Sequence, residues 1–568
     1  MRTETLTADA NLMVKAVRVG NIADIVMLAL ALAVALGFGW YLGAGRVTDP
    51  FLYYDVAFVK QVQMGQTSMT IPATGPFASL AYVPGREMLM VQLSTMMGIA
   101  PETLQFLPVG AVLMSVTLYV LSRRLLGSPY VAFLLVVYLS TNLSHASALY
   151  SVFAYALALP IVLTAMLVSR RLFERKDPRD VLLLVLLFMG VHSIHYTMAT
   201  WLITFLLGAN LLIWLQGRLA GRVSVPLRVP LLKAAPYLLL TIAVFFIAFN
   251  EAVYRSFLPL ISGHTLDSAV QRFLSYLSFT PVTEQSPYRF TRSGLPTLAS
   301  TLALGIILIP VAVGLAGDVV RLFKRATSFV ADRDLALLWG IAVLGIIDAA
   351  SYAIRGSVST KSFSLLFPVL AVACAKRRGR PVVMYALALL LAASSLAKIG
   401  VFYANSYVIS PDPIASDYTA TRASAEWMQQ HLAGPGAGAE AQAGTGARFT
   451  MLADLNLYGK YLVDSVGRPA TPVEQGFTED RYEQVIGRAG GRLWQDPPDI
   501  VAVDRASTEP VISFVFLLFR PLQDYSDLIE ANPVLDLVYD DGSILLGRPN
   551  LFSHTPGQGE GRRTDAQR

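Results

Sequence analysis

Between residues 22 and 403 the chain returns repeatedly to apolar stretches of roughly 17 to 25 residues, about the length that carries an α-helix across a ~30 Å hydrocarbon layer. A backbone in that layer finds no water to hydrogen-bond, so such a stretch is stable there as a helix. The spans read as 21–45, 103–123, 128–145, 148–168, 180–195, 197–215, 233–250, 296–318, 334–353, 361–375 and 381–403. Composition agrees with them. Of 568 residues, 54% are hydrophobic and 15% charged, with mean hydropathy +0.53, which is too few charges for a water-soluble globule of this size. The expected fold class is a polytopic α-helical membrane protein of about eleven transmembrane helices.

Lys and Arg close to a span resist translocation, so the loops that hold them stay in the cytoplasm. Here they fall in every second loop, at Arg123–Arg124, Arg170–Arg179, Arg218–Lys233, Arg321–Arg333 and Lys376–Arg380. The N-terminus is therefore expected inside and the C-terminus outside, in a multi-pass protein of the cell membrane. The first span, led by Arg2, Lys15 and Arg18, is too long for a signal-peptide core and reads as an uncleaved signal anchor. The one cysteine, Cys374, lies within a span, which excludes an intrachain disulfide and a Cys-based metal site and suits a small buried apolar residue.

Long apolar runs stop after residue 409, where "SPDP" opens a polar region, so residues 1–409 form the membrane part. Residues 410–552 read as an extracytoplasmic α/β domain. "DYTATRASAEWMQQHLAG" has helical spacing, "ARFTMLAD" and "PDIVAVD" read as buried strands, and "NPVLDLVYDDGSILLGRP" carries the Asp-Gly signal of a hairpin. Residues 553–568 read as a disordered tail. From residue 410 onward there are 22 acidic and 13 basic residues, a balance of −9, which leaves +15 for the rest of a chain of net charge +6. Basic loops account for that excess, so no nucleic-acid partner is implied.

Two outer connections, 46–102 and 251–295, are too long to be plain links. The first holds "TDPFLYYDVAFVKQVQMGQ" and "YVPGREMLMVQLSTMMG", both with the amphipathic spacing of helices lying in a membrane interface. The order "DPFLYYDVAFVKQVQMGQ", then "YVPGREMLMVQLSTMMGIAPETLQFLPVGAVLMSVTLYVLSRRLLGS", resembles the N-terminal region of GT-C type integral membrane glycosyltransferases of archaea and bacteria. The likeness extends to the organisation of many spans, an enlarged first outer loop and a C-terminal outer domain. It implies a GT-C-like fold and transfer of a sugar from a polyprenyl-phosphate carrier to a glycan, lipid or protein acceptor, with a first-loop carboxylate as the catalytic group. Such a group would take the acceptor hydroxyl's proton as that oxygen attacks the anomeric carbon. Asp49, directly before Pro50, matches the family position, and Asp55 is the second candidate. An Asp before Pro also caps a helix or turn. Tyr54 beside Asp55 joins the candidate donor-binding groups. The family's metal-dependent branch places acidic ligands in the second outer loop, but "STNLSHASALYS" has no carboxylate there. An inverting, metal-independent enzyme without a cofactor is therefore expected, since a divalent ion normally needs several hard oxygen ligands.

Other polar groups fall near the outer face. His192 and His195 of "VHSIHYT" would hydrogen-bond the donor or be plain interfacial polarity, and no third ligand accompanies them for zinc. Asp348 lies inside a span, where an ionisable group normally faces a partner or a cavity. Either it pairs with Arg355, seven residues on, or Arg355 and Lys361 hold the lipid phosphate. Glu251 stands four residues before Arg255, as a solvated ion pair or as part of the site. Asn142 begins an outer-side "NLS" glycosylation sequon, tight against the membrane. The competing classes are a lipid-linked sugar flippase and a non-catalytic envelope scaffold. No internal repeat or matched pair of broken helices favours the former.

Overall fold

The computed structural model describes residues 22–38, 51–64, 85–104, 107–142, 154–174, 177–219, 230–249, 294–324, 333–355, 361–404, 419–431, 451–453, 500–504, 511–513, 518–520, 535–542 and 544–549, together with Leu457 and Tyr461. Each apolar run of the sequence coincides with a helix. These are α1 (Ile22–Phe38), α5 (Val109–Leu126), α6 (Pro129–Thr141), α7 (Ala154–Glu174), α8 (Pro178–Ile194), α9 (Tyr196–Leu219), α10 (Pro230–Phe249), α11 (Gly294–Lys324), α12 (Arg333–Arg355), α13 (Lys361–Arg377) and α14 (Pro381–Ala404). Val109–Leu126, Tyr155–Leu172 and Met198–Leu215 are long and apolar enough to cross a membrane, and four further helices carry shorter apolar stretches. Between α1 and α5 come α2 (Phe51–Gln63), α3 (Gly85–Met97) and the single turn α4 (Pro101–Leu104).

Helix α7 is central. Its Tyr155, Leu159, Val162, Leu163 and Met166 are fully buried in a core shared with α5, α8, α9, α12 and α13. The helices α9 and α12 approach closely because small residues face large ones. A Cβ added at Gly208 would come within 2.6 Å of Val343, and one at Gly340 within 2.7 Å of the Phe205 ring. Pro160, Pro236, Pro310 and Pro368 lie inside helices that run on through them. Cys374 is buried, with Gly314 making room for its side chain.

Tight, capped turns join several helices at one end of the bundle. After α5, Gly127 takes φ 73°, a left-handed conformation cheap only for glycine, and its N–H bonds to the Arg123 carbonyl at 2.9 Å. Ser128 then caps α6, with Pro129 in the first turn. Asp177 repeats the device before Pro178, accepting from the Arg179 N–H at 2.9 Å. Ion pairs cross between helices at the same end. Arg123 Nε reaches Asp24 Oδ1 at 2.6 Å, Arg170 reaches Asp334 at 2.7 Å and Arg171 reaches Asp180 at 3.0 Å. Lys376 Nζ donates to the Leu125 carbonyl at 2.7 Å, Tyr385 shares a hydrogen bond with Ser128 at 2.9 Å, and Arg378 donates to the Val313 carbonyl. The basic loops singled out in the sequence, so far as they are described, thus gather at one end, which requires successive helices to alternate in direction.

Beyond residue 410, α15 (Thr419–His431) packs on a four-stranded mixed sheet of order β1-β2-β6-β5, made of β1 (Met451–Ala453), β2 (Ile500–Asp504), β5 (Leu535–Asp540) and β6 (Ile544–Pro549). The strands β1 and β2 run parallel, while β2 and β5 flank β6 antiparallel. The Asp-Gly signal is realised at Gly542, φ 84°, whose N–H bonds to Asp540 Oδ1 at 2.8 Å. A separate two-stranded pair joins β3 (Val511–Ser513) and β4 (Leu518–Arg520), which the sequence reading did not anticipate.

Candidate functional site

Opposite the basic end, the first-loop helices pack on the bundle as a small second core. Val59 of α2, Met90 of α3, Leu104 of α4 and Leu157 of α7 are buried together, with Ile194 and Val109 against them. Val56, Ala57, Phe58 and Val59 are buried in succession and Val62 partly, so this part of α2 is enclosed by protein all round rather than along the single face its amphipathic spacing suggested. Gln63 Nε2 donates to Ser94 Oγ at 3.0 Å, and Ser94 in turn donates to the Ile99 carbonyl at 2.7 Å, tying α2 to the end of α3. Met64, Met88, Met96 and Met97 remain exposed, which suits interfacial helices whose outer surface is flexible and apolar.

The opening of α3 is seated on the break between α8 and α9. A Cβ at Gly85 would lie 2.3 Å from the Ser193 carbonyl oxygen, so the two backbones meet where only glycine fits. Ser193 lies between the two predicted histidines. His192 closes the last turn of α8, its ring centroid 6.2 Å from that of Phe188. His195 has left the helix at φ −156° and ψ 93°, with its N–H bonded to the Val191 carbonyl at 2.7 Å. The three-residue spacing of the histidines therefore spans a break, and they do not share one helical face. Among the described residues no three His, Cys, Asp or Glu side chains come together as a metal-holding group.

Next to Gly85, Arg86 is 1% exposed and Glu87 5% exposed. Arg86 donates from Nε at 3.0 Å and from Nη2 at 2.5 Å, both to Glu87 Oε1. In the sequence, "PGRE" opens an expected interfacial helix and belongs to the family likeness, with no role assigned to Arg86 or Glu87. Its remaining signal was a charged dipeptide directly after Pro-Gly at the head of an apolar helix, a pattern equally at home in a solvated first turn.

Asp348 is 7% exposed on α12 and interacts electrostatically with the fully buried Tyr155 of α7. The sequence named only Arg355 as a partner for Asp348 and did not point to Tyr155. Asp55 and Tyr54 lie on α2, Arg355 closes α12 and Lys361 opens α13, all by backbone position. Their side chains, and Asp49 and Glu251 altogether, lie outside the described residues. The Asn142 sequon does not present an available amide. Asn142 is 6% exposed and donates to the Tyr138 hydroxyl at 3.2 Å, beside a Thr141–Ser395 hydrogen bond of 2.8 Å that ties α6 to α14.

The chain matches no protein-family model and no curated protein sequence. Among solved structures it is similar to the crystal structure of the Archaeoglobus fulgidus oligosaccharyltransferase in complex with Zn and sulfate, at 13% identity and a TM-score of 0.41. The match covers 78% of this chain and 61% of that one, so the chain spans less than two thirds of that enzyme's length. Identity at that level transfers no residue role.

Proposed function

We propose that the protein is a membrane glycosyltransferase that moves a sugar from a polyprenyl monophosphate to an acceptor hydroxyl at the outer membrane face, using a first-loop carboxylate and no metal. The observation that supports this reading best is the seating of the first-loop helices on the α8–α9 break through Gly85 and Ser193. It seats α3, which follows α2 in the first loop, on the junction between His192 and His195, at the end of the bundle away from the basic turns. By the positive-inside rule that end faces outward. There a carboxylate at the water edge of the bundle can accept the proton of an attacking hydroxyl while the lipid phosphate leaves. Asp49 is the proposed base and Asp55 the second candidate. Arg355 and Lys361 end and begin consecutive helices at this same end, where charge-assisted hydrogen bonds to a departing phosphate would be useful.

The reading is tested by transfer of radiolabelled sugar in proteoliposomes, with and without EDTA. Asp49→Asn removes the base at nearly constant volume and is expected to slow transfer by ~10² to 10⁴-fold. Asp55→Asn is expected to be milder, and EDTA to be without effect. Undiminished transfer by the Asp49 variant removes that residue from the mechanism. Abolition by EDTA with rescue by added metal replaces the scheme with a metal-dependent one. Movement of lipid-linked sugar between leaflets without transfer turns the assignment to a flippase.

A further inference from the structure

Among the described ion pairs of the bundle, Arg86–Glu87 lies within one helix, as does the 3.9 Å Arg321–Asp318 pair of α11. The pairs Arg123–Asp24, Arg170–Asp334 and Arg171–Asp180 each join two helices. The Arg86–Glu87 bridge joins sequence neighbours and does not itself connect two elements, yet both side chains are almost completely removed from water. Burying an ion pair carries a desolvation penalty that the mutual attraction often fails to exceed. The bridge by itself therefore adds little to the stability of the fold.

The geometry is also lopsided. A guanidinium usually meets a carboxylate with two parallel hydrogen bonds, one to each oxygen. Here Nε and Nη2 of Arg86 converge on Oε1 alone. Glu87 Oε2 is buried and accepts no hydrogen bond. A buried acceptor left open is costly and calls for a specific partner. The pair sits one residue from Gly85, whose backbone touches Ser193 between His192 and His195.

We propose that Glu87 is a sugar-binding residue of this site, its open Oε2 accepting a hydrogen bond from a hydroxyl of the transferred sugar while Arg86 holds the carboxylate in position through Oε1. This assignment rests on the glycosyltransferase reading. A carboxylate oxygen fixed by a buried guanidinium distinguishes a hydroxyl at one ring position from its absence, because the unmatched acceptor stays unpaired when the hydroxyl is missing. Glu87 would therefore contribute to the choice of sugar, separately from the proton-accepting role of Asp49.

The test uses the full chain in detergent and two probes, bare polyprenyl monophosphate and polyprenyl monophosphate carrying one hexose, with a small panel of hexoses. Thermal unfolding reads the stabilisation by each probe. The wild type is expected to be stabilised further by at least one sugar-bearing lipid than by the bare lipid. Glu87→Gln is expected to lose that sugar-dependent increment and keep the response to the bare lipid, with apparent affinity for the sugar-bearing lipid weakened roughly 10- to 100-fold, as for a lost hydrogen bond to a charged group. Should Glu87→Gln fail to fold because Arg86 is left without its carboxylate, the double variant Arg86→Met with Glu87→Met removes both charges and is expected to fold and to lack the increment. An increment retained in the variants overturns the assignment while leaving the glycosyltransferase reading in place. A wild type indifferent to both kinds of lipid overturns that reading and this assignment together.

Discussion

The two ends of the helical bundle handle charge in opposite ways. At the basic end, an acid in the first turn of one helix meets an arginine in the last turns of another: Asp24 with Arg123, Asp180 with Arg171, Asp334 with Arg170. Each charge also sits where the helix dipole favours it, carboxylates near N-termini and guanidiniums near C-termini. Every such bond crosses between helices, and short capped turns at Gly127–Ser128 and Asp177–Pro178 keep the ends together. At the other end Arg86, Glu87 and Asp348 are buried. Arg86 pairs with its own neighbour Glu87, and Asp348 lies within electrostatic range of Tyr155. The first end is braced by pairs that cross between helices, and the second buries its charge beside the α8–α9 break. That contrast yields tests in which stability and transfer should separate.

The largest stability effect is expected from Arg171→Met, because Asp180, whose side chain is 3% exposed, would be left buried without its partner. Breaking a buried pair costs several kcal/mol, reduced here by the helix N-terminus beneath Asp180, so a loss of about 2 to 3 kcal/mol is expected. Denaturant or thermal unfolding reads it, and turnover per folded molecule should be unchanged. A variant that is fully stable but inactive would break the comparison.

The converse test is Gly85→Val. The added side chain must push α3 away from the Ser193 carbonyl. Misplacing a substrate-positioning element by about 1 Å can cost ~10²-fold in rate, so turnover should fall by that order while the ion pairs of the basic end persist. Equal transfer by variant and wild type would remove the α3 seat from the site. Smaller is the effect of Asp24→Asn, which weakens a half-exposed pair with Arg123 and a 3.0 Å hydrogen bond from the Tyr119 hydroxyl. About 1 kcal/mol is expected, between the values for exposed pairs and for charged hydrogen bonds, with no change in turnover.

The smallest effect lies outside the bundle. Burial, the hydrogen bond donated to Asp541 at 3.0 Å and the charges of Asp541 and Asp540 push the Tyr539 hydroxyl up to about 12. The folded protein holds this proton more tightly than the unfolded chain, whose tyrosines titrate near ~10. The resulting stability is fully present below that value and is lost as the pH rises from there towards the folded value. Tyr539→Phe should remove this alkaline step, and the tyrosinate difference absorbance between wild type and variant should rise late. A midpoint near ~10 would show the hydroxyl to be unconstrained.

Much of the helical architecture was legible because membrane-length apolar runs allow one conformation and basic residues mark alternate loops. Helix starts follow local chemistry, with Pro129, Pro178 and Pro381 opening α6, α8 and α14 as the first helical residues, although two of the expected spans began at 128 and 180. The Asp-Gly hairpin was equally readable, since its turn is a matter of two adjacent residues. The position of Arg86 and Glu87 was not. On a sequence their charges read as a solvated first turn, and only the packing of α3 against the α8–α9 break excludes water from them. Asp348 raised the right question without an answer, because Tyr155, 193 positions away in the chain, comes within its electrostatic range only through the packing of α7 on α12. Local chemistry sets where helices begin and end. Which charges are buried, and beside what, depends on contacts between segments far apart in the chain, and those are decided by tertiary packing.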